Sequence, residues 1–240
     1  MFGMRGIRNW GPDRIKYSDA PNKVANDRNH IDILEQPIYN TMDDQNGIHF
    51  SPHEIDYTEW KESIAIFGDS TSYGQYLNTG DSLHEILSFD RPVNNFAYPA
   101  EGNGHIFKKF TNVVTKYGLP WGVIVGYSSP WRIAHTREDD NIVESIGHWS
   151  KEYTKDQAGA IQFLSECRKT ILGQTYDIKS AMRIMCKDIK YFEWTAFIKN
   201  KFFDDVYQLR WKDHASDGVH PGPETMRYLA RKIEKEWRDV

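Results

Sequence analysis

Ile64-Ala65-Ile66-Phe67-Gly68-Asp69-Ser70-Thr71 sets an apolar run of strand length directly against a Gly-Asp-Ser turn. A continuous apolar run bounded by turn residues is the pattern of a strand buried on both faces, as in a parallel sheet. In open parallel sheets ligands bind beyond the carboxyl ends of the strands, which is where Ser70 falls. Far along the chain, Asp217-Gly218-Val219-His220-Pro221 supplies a carboxylate and an imidazole. A serine hydroxyl is a poor nucleophile near neutral pH, so acyl transfer needs an imidazole to take its proton and a carboxylate to fix that imidazole's tautomer. Ser70, His220 and Asp217 are the candidates for those three roles.

Working outward, the pattern stays regular. Ser63 to Phe67 reads as a strand, and 81 to 89, with Leu83, Ile86 and Leu87 on one face, reads as a short helix capped by Asp81 or Ser82. Val93 to Ala97 predicts a second strand. Asn103 to Tyr117 carries Ile106, Phe107, Phe110, Val113, Val114 and Tyr117 at helical spacing and stops at Gly118, with Pro120 beyond. Val123-Ile124-Val125 predicts a third buried strand. Residues 135 to 160 are polar and mixed, after which apolar residues from Ile161 to Met185 repeat at helical intervals, as one long helix or two broken near Gly173. Ile189 to Trp194 reads as a fourth strand. Pro223 to Trp237 reads as the closing helix, with Met226, Leu229, Ala230, Ile233 and Trp237 in one stripe and Pro223 suited to the first turn. Strands alternating with helices predict an α/β fold whose parallel sheet is covered on both faces.

Ahead of this domain, residues 1–61 are rich in Asp, Asn, Pro and His without either period, and read as an irregular N-terminal arm; residues 62–240 form the candidate catalytic domain. The arm either packs along the domain or contacts a protein partner. Its His49-x-x-x-His53-Glu54 stretch contains Ser51-Pro52, which breaks the helical spacing a metal site would need, so no metal and no cofactor are expected. With 30 basic and 34 acidic residues the net charge is −4, which leaves no electrostatic footprint for nucleic acid or an anionic membrane. Two cysteines, Cys167 and Cys186, cannot build a disulfide framework and suit a reducing compartment. The first residues lack the features of a secretory signal, and no segment has the length of a membrane span, so a cytoplasmic protein is expected, with virion association the other assignment.

Four segments converge on one edge of the expected sheet. Ser70 follows the first strand, Ala100 to Asn103 the second and Gly126 to Ser129 the third, while Asp217 to His220 precede the closing helix. Through Gly68-Asp69-Ser70 and Asp217-x-x-His220 the chain resembles the SGNH (GDSL-type) hydrolase family over residues 62 to 238. The resemblance implies a three-layer α/β/α sandwich with a mainly parallel, flavodoxin-like sheet. It also implies esterase, lipase, thioesterase or carbohydrate-deacetylase activity, with Ser70 as nucleophile, His220 as general base and Asp217 orienting it. Asn95 to Asn103 resembles the family's second block, whose glycine offers a backbone N–H to the oxyanion; strict register puts Ala100 there, with Gly102 the alternative. The third block, Gly-x-Asn-Asp in the family, reads Gly126-Tyr127-Ser128-Ser129 here, so the asparagine donor is replaced. Losing such a donor costs on the order of 10²–10³ in turnover, and Asn103 or the Ser128 hydroxyl is the candidate substitute. The oxyanion set is thus Ser70, Ala100, Gly102, Asn103 and Ser128.

The stretch 126 to 132, with Gly102-Asn103, is similar to a divergent branch of the family in phage and bacterial genomes, which implies a glycan-modifying or virion role. Tyr127 and Trp131 are either a sugar-stacking platform or core, in a chain with eight Trp and thirteen Tyr. Arg132 either clamps a substrate carboxylate or phosphate, or pairs with a local acid between Glu138 and Asp140. His214 competes with His220 as the base and ranks below it on register; His105 and His135 read as surface or supporting residues, and Lys108-Lys109 as a solvated helix face. The expected activity is a serine esterase acting on a small ester, such as an O-acetyl group on a carbohydrate. The alternative is a protein of the same fold that binds a glycan or joins an assembly with little catalysis.

Overall fold

The computed structural model of the chain describes residues 55–98, 101–130, 132–136, 143–146, 168–196, 201–215 and 220–238. In chain order these form β1 (Ile64–Gly68), α1 (Ser70–Tyr73), α2 (Leu83–Ile86), β2 (Val93–Asn95), α3 (Asn103–Tyr117), β3 (Gly122–Tyr127), β4 (Ile133–Thr136) and β5 (Val143–Ile146). They continue with α4 (Arg168–Met185), β6 (Lys190–Thr195), β7 (Tyr207–Gln208) and α5 (Pro223–Arg238). Five strands make one sheet in the order β2-β1-β3-β6-β7, and every neighbouring pair is parallel, with Ile64 opposite both Val93 and Gly122, Gly122 opposite Lys190, and Trp194 opposite Tyr207. With the separate antiparallel β4–β5 hairpin set aside, this is the flavodoxin-like order, in which the chain turns back across the sheet between β1 and β3.

Side-chain alternation along the strands divides the interior into two cores. Ile64 and Ile66 of β1, Ile124 of β3 and Phe192 and Trp194 of β6 pack on Leu83 of α2 and on the α5 stripe Met226, Leu229, Ala230, Ile233 and Trp237. Ala65, Phe67, Val123, Val125 and Tyr127 face the other way, onto Ile106, Phe110 and Val113 of α3 and Met182 of α4. The result is a three-layer α/β/α sandwich. Phe67 anchors the second core, its ring stacked 5.0 Å from Phe96 and edge-on to Phe110 at 5.4 Å; burying one such ring is worth roughly 1.5–3 kcal/mol. Just ahead of β1, Trp60 is buried on this same side and donates its indole N–H to the Gly118 carbonyl at 2.9 Å.

Several elements differ from the sequence expectation in extent. The helix expected over 81 to 89 is one turn, because Leu87 is already extended (φ −65°, ψ 121°); Ser82 caps it, with its N–H donating to Glu85. Gly173 does not break α4, since a helical glycine in open space costs the helix only conformational entropy. The β4–β5 hairpin and the two-residue β7 carry no periodic apolar signal, being too short for one. Residues 1–54 and 151–167, with most of the arm and the first seven residues of the expected 161–185 helix, lie outside the described residues.

Candidate active site

The strand β1 ends at Gly68, and the chain enters α1 without a connecting loop, so Ser70 is the first helical residue. Asp69 is the N-cap: its Oδ1 accepts the Thr71 N–H at 3.0 Å. The turn fits closely onto the sheet, because a Cβ on Gly68 or Gly126 would lie 2.1 Å or 2.0 Å from Ser72 Oγ. Ser70 therefore stands at the carboxyl end of β1, beside that of β3, at the point where the strand order reverses.

His220 reaches this serine from 150 residues away, with Nε2 3.0 Å from Ser70 Oγ. Both residues are enclosed, Ser70 at 3% and His220 at 8% exposure. The imidazole's position is built by residues on either side of it. Ala215 N–H donates to the His220 carbonyl at 2.8 Å and Gly222 N–H to the Asp213 carbonyl at 3.1 Å, so 213–215 and 220–222 run antiparallel. Asp213 in turn caps α5, accepting from the Glu224 and Thr225 N–H groups at 2.9 and 2.8 Å and from the Thr225 hydroxyl at 2.7 Å. Burial works to raise the Asp213 carboxyl, but these bonds, the Thr225 hydroxyl foremost, hold it below the usual range. His214 is exposed beside Trp211, with ring centroids 5.2 Å apart. Of the two histidines weighed as base, His220 is the one brought to Ser70. Asp217 lies outside the described residues, as do Ala100 and Trp131.

The remaining candidate residues divide by the strand pleat and by the loop ends. Gly102 is the N-cap of α3 and packs on the next loop: a Cβ there would stand 2.5 Å from the Arg132 carbonyl oxygen. Asn103 spans the same gap with a reciprocal pair, its Nδ2 donating to the Ser128 carbonyl at 3.1 Å and its Oδ1 accepting the Ser128 N–H at 2.9 Å. The Asn103 side chain is thus a brace between the second and third loops. Ser128 is fully buried, and its hydroxyl has no partner among the described residues.

Three expectations are corrected. Tyr127 faces the second core and not a ligand, because β3 alternation puts it on the side of Val123 and Val125; its ring stacks on Phe203 at 5.7 Å and its hydroxyl meets Tyr191 and Glu193 at 3.1 and 3.2 Å. Burial, with the Glu193 charge second, raises its ionisation well above the ordinary range. Arg132 turns inward to pair with Asp69, Nη1 to Oδ2 at 2.9 Å, one residue before Ser70. Burial lowers the guanidinium's pKa and the Asp69 charge works against that. Lys109, expected on a solvated face, is buried: its Nζ pairs with Glu101 at 2.6 Å and donates to the Phe96 carbonyl at 2.8 Å, tying α3 to the loop that follows β2. The signal was present, since Lys109 is three residues from Ile106 and four from Val113 and so shares their helix face.

No protein-family model matches the chain, and no curated protein sequence matches it. Among solved structures it is similar to an acetyl xylan esterase from the rumen bacterium Butyrivibrio proteoclasticus, at 10% identity and a TM-score of 0.46 over 75% of this chain and 64% of that one. The chain therefore spans less than two thirds of that esterase. It is also similar to a lipase/acylhydrolase from Enterococcus faecalis (12% identity, TM-score 0.45, covering 73% of this chain and 94% of that one). A lipolytic protein of the G-D-S-L family from Desulfitobacterium hafniense gives 15% identity and a TM-score of 0.36 over 72% and 98%. The chain's own sheet order and site define its class: a three-layer α/β/α protein of flavodoxin-like strand order with a serine–histidine pair at the switch point of its parallel sheet.

Proposed function

We propose that this protein is a serine esterase that transfers the acyl group of a small ester to Ser70 and then to water. The observation that carries the reading is the 3.0 Å contact of Ser70 Oγ with His220 Nε2. With its proton on Nδ1, His220 accepts the Ser70 proton at Nε2 as Oγ bonds to the ester carbonyl carbon. The role given to Asp217 is to hold that Nδ1–H. The negative charge on the carbonyl oxygen is met by the Ser70 N–H, which as the first helical N–H of α1 has no intrahelical partner, by the N–H of Gly102 or Ala100, and by the Ser128 hydroxyl. Collapse breaks the bond to the alcohol oxygen, which takes the proton from His220. Water then repeats the sequence, releasing the acid and restoring Ser70.

The enclosure of both side chains, at 3% and 8% exposure, favours a short acyl group such as acetyl. An O-acetylated carbohydrate is the proposed substrate class. Hydrolysis of p-nitrophenyl esters from acetate to octanoate, and of acetylated sugars, by the wild type, S70A and H220A tests this: the expected result is activity that is highest on acetyl esters and lost in both variants. Ser128 in place of an asparagine donor favours a second reading, a weakly catalytic binding protein; it predicts no hydrolysis above S70A and unchanged glycan affinity in that variant.

A further inference from the structure

Among the described residues Tyr76 alone combines a side chain with a positive φ, 66°. It follows Gly74 (φ 86°) in the turn that ends α1, where the Gln75 N–H donates to the Ser70 carbonyl at 3.0 Å and the Leu77 N–H to the Gly74 carbonyl at 3.1 Å. Glycine adopts this left-handed backbone freely, whereas a residue with a Cβ is strained in it. Such outliers persist where the surroundings over-determine them, and they gather at functional sites. The surroundings here are explicit. Leu77 and Leu83 lie in the first core, against which Tyr76 is packed half-buried. On the other side its ring centroid is 5.6 Å from that of His220, the planes inclined at 38°.

We propose that Tyr76 is a positioning residue for His220, an inference that rests on reading Ser70 and His220 as a hydrolytic pair. The Ser70 contact fixes one nitrogen of the imidazole, and the bond given to Asp217 would fix the other, but neither packs against the face of the ring. An aromatic surface beside that face limits its tilt. It also interacts more favourably with the imidazolium present during acyl transfer than with neutral imidazole, because the ring face is electronegative. The short turn from Ser70 to Tyr76 ties nucleophile and aromatic wall to one piece of backbone, so the strained residue holds the distant histidine in register with the serine.

The test compares wild type, S70A, Y76F, Y76L and Y76G for kcat and KM on p-nitrophenyl acetate, for the rate of labelling by a fluorophosphonate, and for Tm. Y76L and Y76G are expected to lose about tenfold or more in kcat and in labelling rate with KM little changed. Y76F, which keeps the ring, is expected to restore both. The glycine variant separates positioning from fold maintenance, because relief of the left-handed strain offsets the lost packing and its Tm should fall less than that of Y76L. Wild-type kcat in Y76L and Y76G, alongside a wild type that is labelled at Ser70, would overturn the Tyr76 role and leave the esterase reading standing. Equal losses in Y76F and Y76L would overturn the ring as the acting group. A wild type that neither hydrolyses nor is labelled would remove the Ser70 reading, and the Tyr76 role with it.

Discussion

Arg132 and Asp69 meet at 2.9 Å with both side chains largely buried, one residue before Ser70. The same carboxylate caps α1 through Thr71, so a single side chain holds the serine's helix and the loop after β3 together. Breaking a buried pair strands one charge and typically costs about 3–5 kcal/mol, whereas removing both partners costs less. R132M and D69N should each lower stability and kcat, and the double variant should fall well short of the sum of the two losses. Urea denaturation of the four proteins checks this cycle.

Asn103 braces Ser128 with two bonds to its backbone. N103A leaves a buried N–H and a buried carbonyl unmet, at about 1–3 kcal/mol for each group. N103D keeps the acceptor but buries a carboxylate whose second oxygen faces the Ser128 carbonyl, and should lose at least as much Tm as N103A.

Ser128 has a fully buried hydroxyl without a partner among the described residues. Removing it should not harm the resting fold, because an unmet buried hydroxyl is itself unfavourable. S128A is therefore expected to keep or raise Tm while losing on the order of 10²–10³ in kcat, the usual cost of an oxyanion donor. A wild-type kcat in S128A would take the hydroxyl out of the proposed oxyanion set.

Asp213 is held below the usual carboxylate range by its capping bonds, which outweigh burial. A carboxyl depressed in the folded state stabilises the fold above its unfolded pKa, and that contribution is lost as pH falls through the folded value. Between about pH 4 and pH 2 the wild type should lose Tm faster than D213N. At pH 7, D213A should be less stable by about 0.5–2 kcal/mol, the worth of an N-cap, and should lose kcat because the strand pair that carries His220 hangs on this cap. Thermal melts across this pH range, with kcat at pH 7, measure both.

Much of this architecture was legible. The apolar run 64 to 67, the punctuated helix from Asn103 to Tyr117 and the stripe on α5 are long or strongly periodic, and they form where the patterns put them. Ser70 and His220 were legible because a strand end and a helix start fix where each falls on the sheet. What sequence could not supply was pairing between loops. Arg132 had nearby acids at Glu138 to Asp140 as candidate partners, yet the topology gives it Asp69, 63 residues back. Asn103 and Ser128, 25 residues apart, meet only because β1 lies between β2 and β3 and brings the loops after those strands to one edge. Tyr127 stayed open between platform and core for a simpler reason: one residue decides which face of a strand a side chain takes, and the end of β3 extends two residues beyond the apolar run that marked it.

The esterase reading stands on Ser70, activated by His220, as the proposed nucleophile. The most direct measurement is mass spectrometry of the protein after exposure to a fluorophosphonate, with S70A and H220A treated alongside. One adduct is expected on the wild type, mapped to the peptide containing Ser70, with none on S70A and strongly slowed labelling of H220A. An unmodified wild type, or an adduct that persists in S70A, would contradict it.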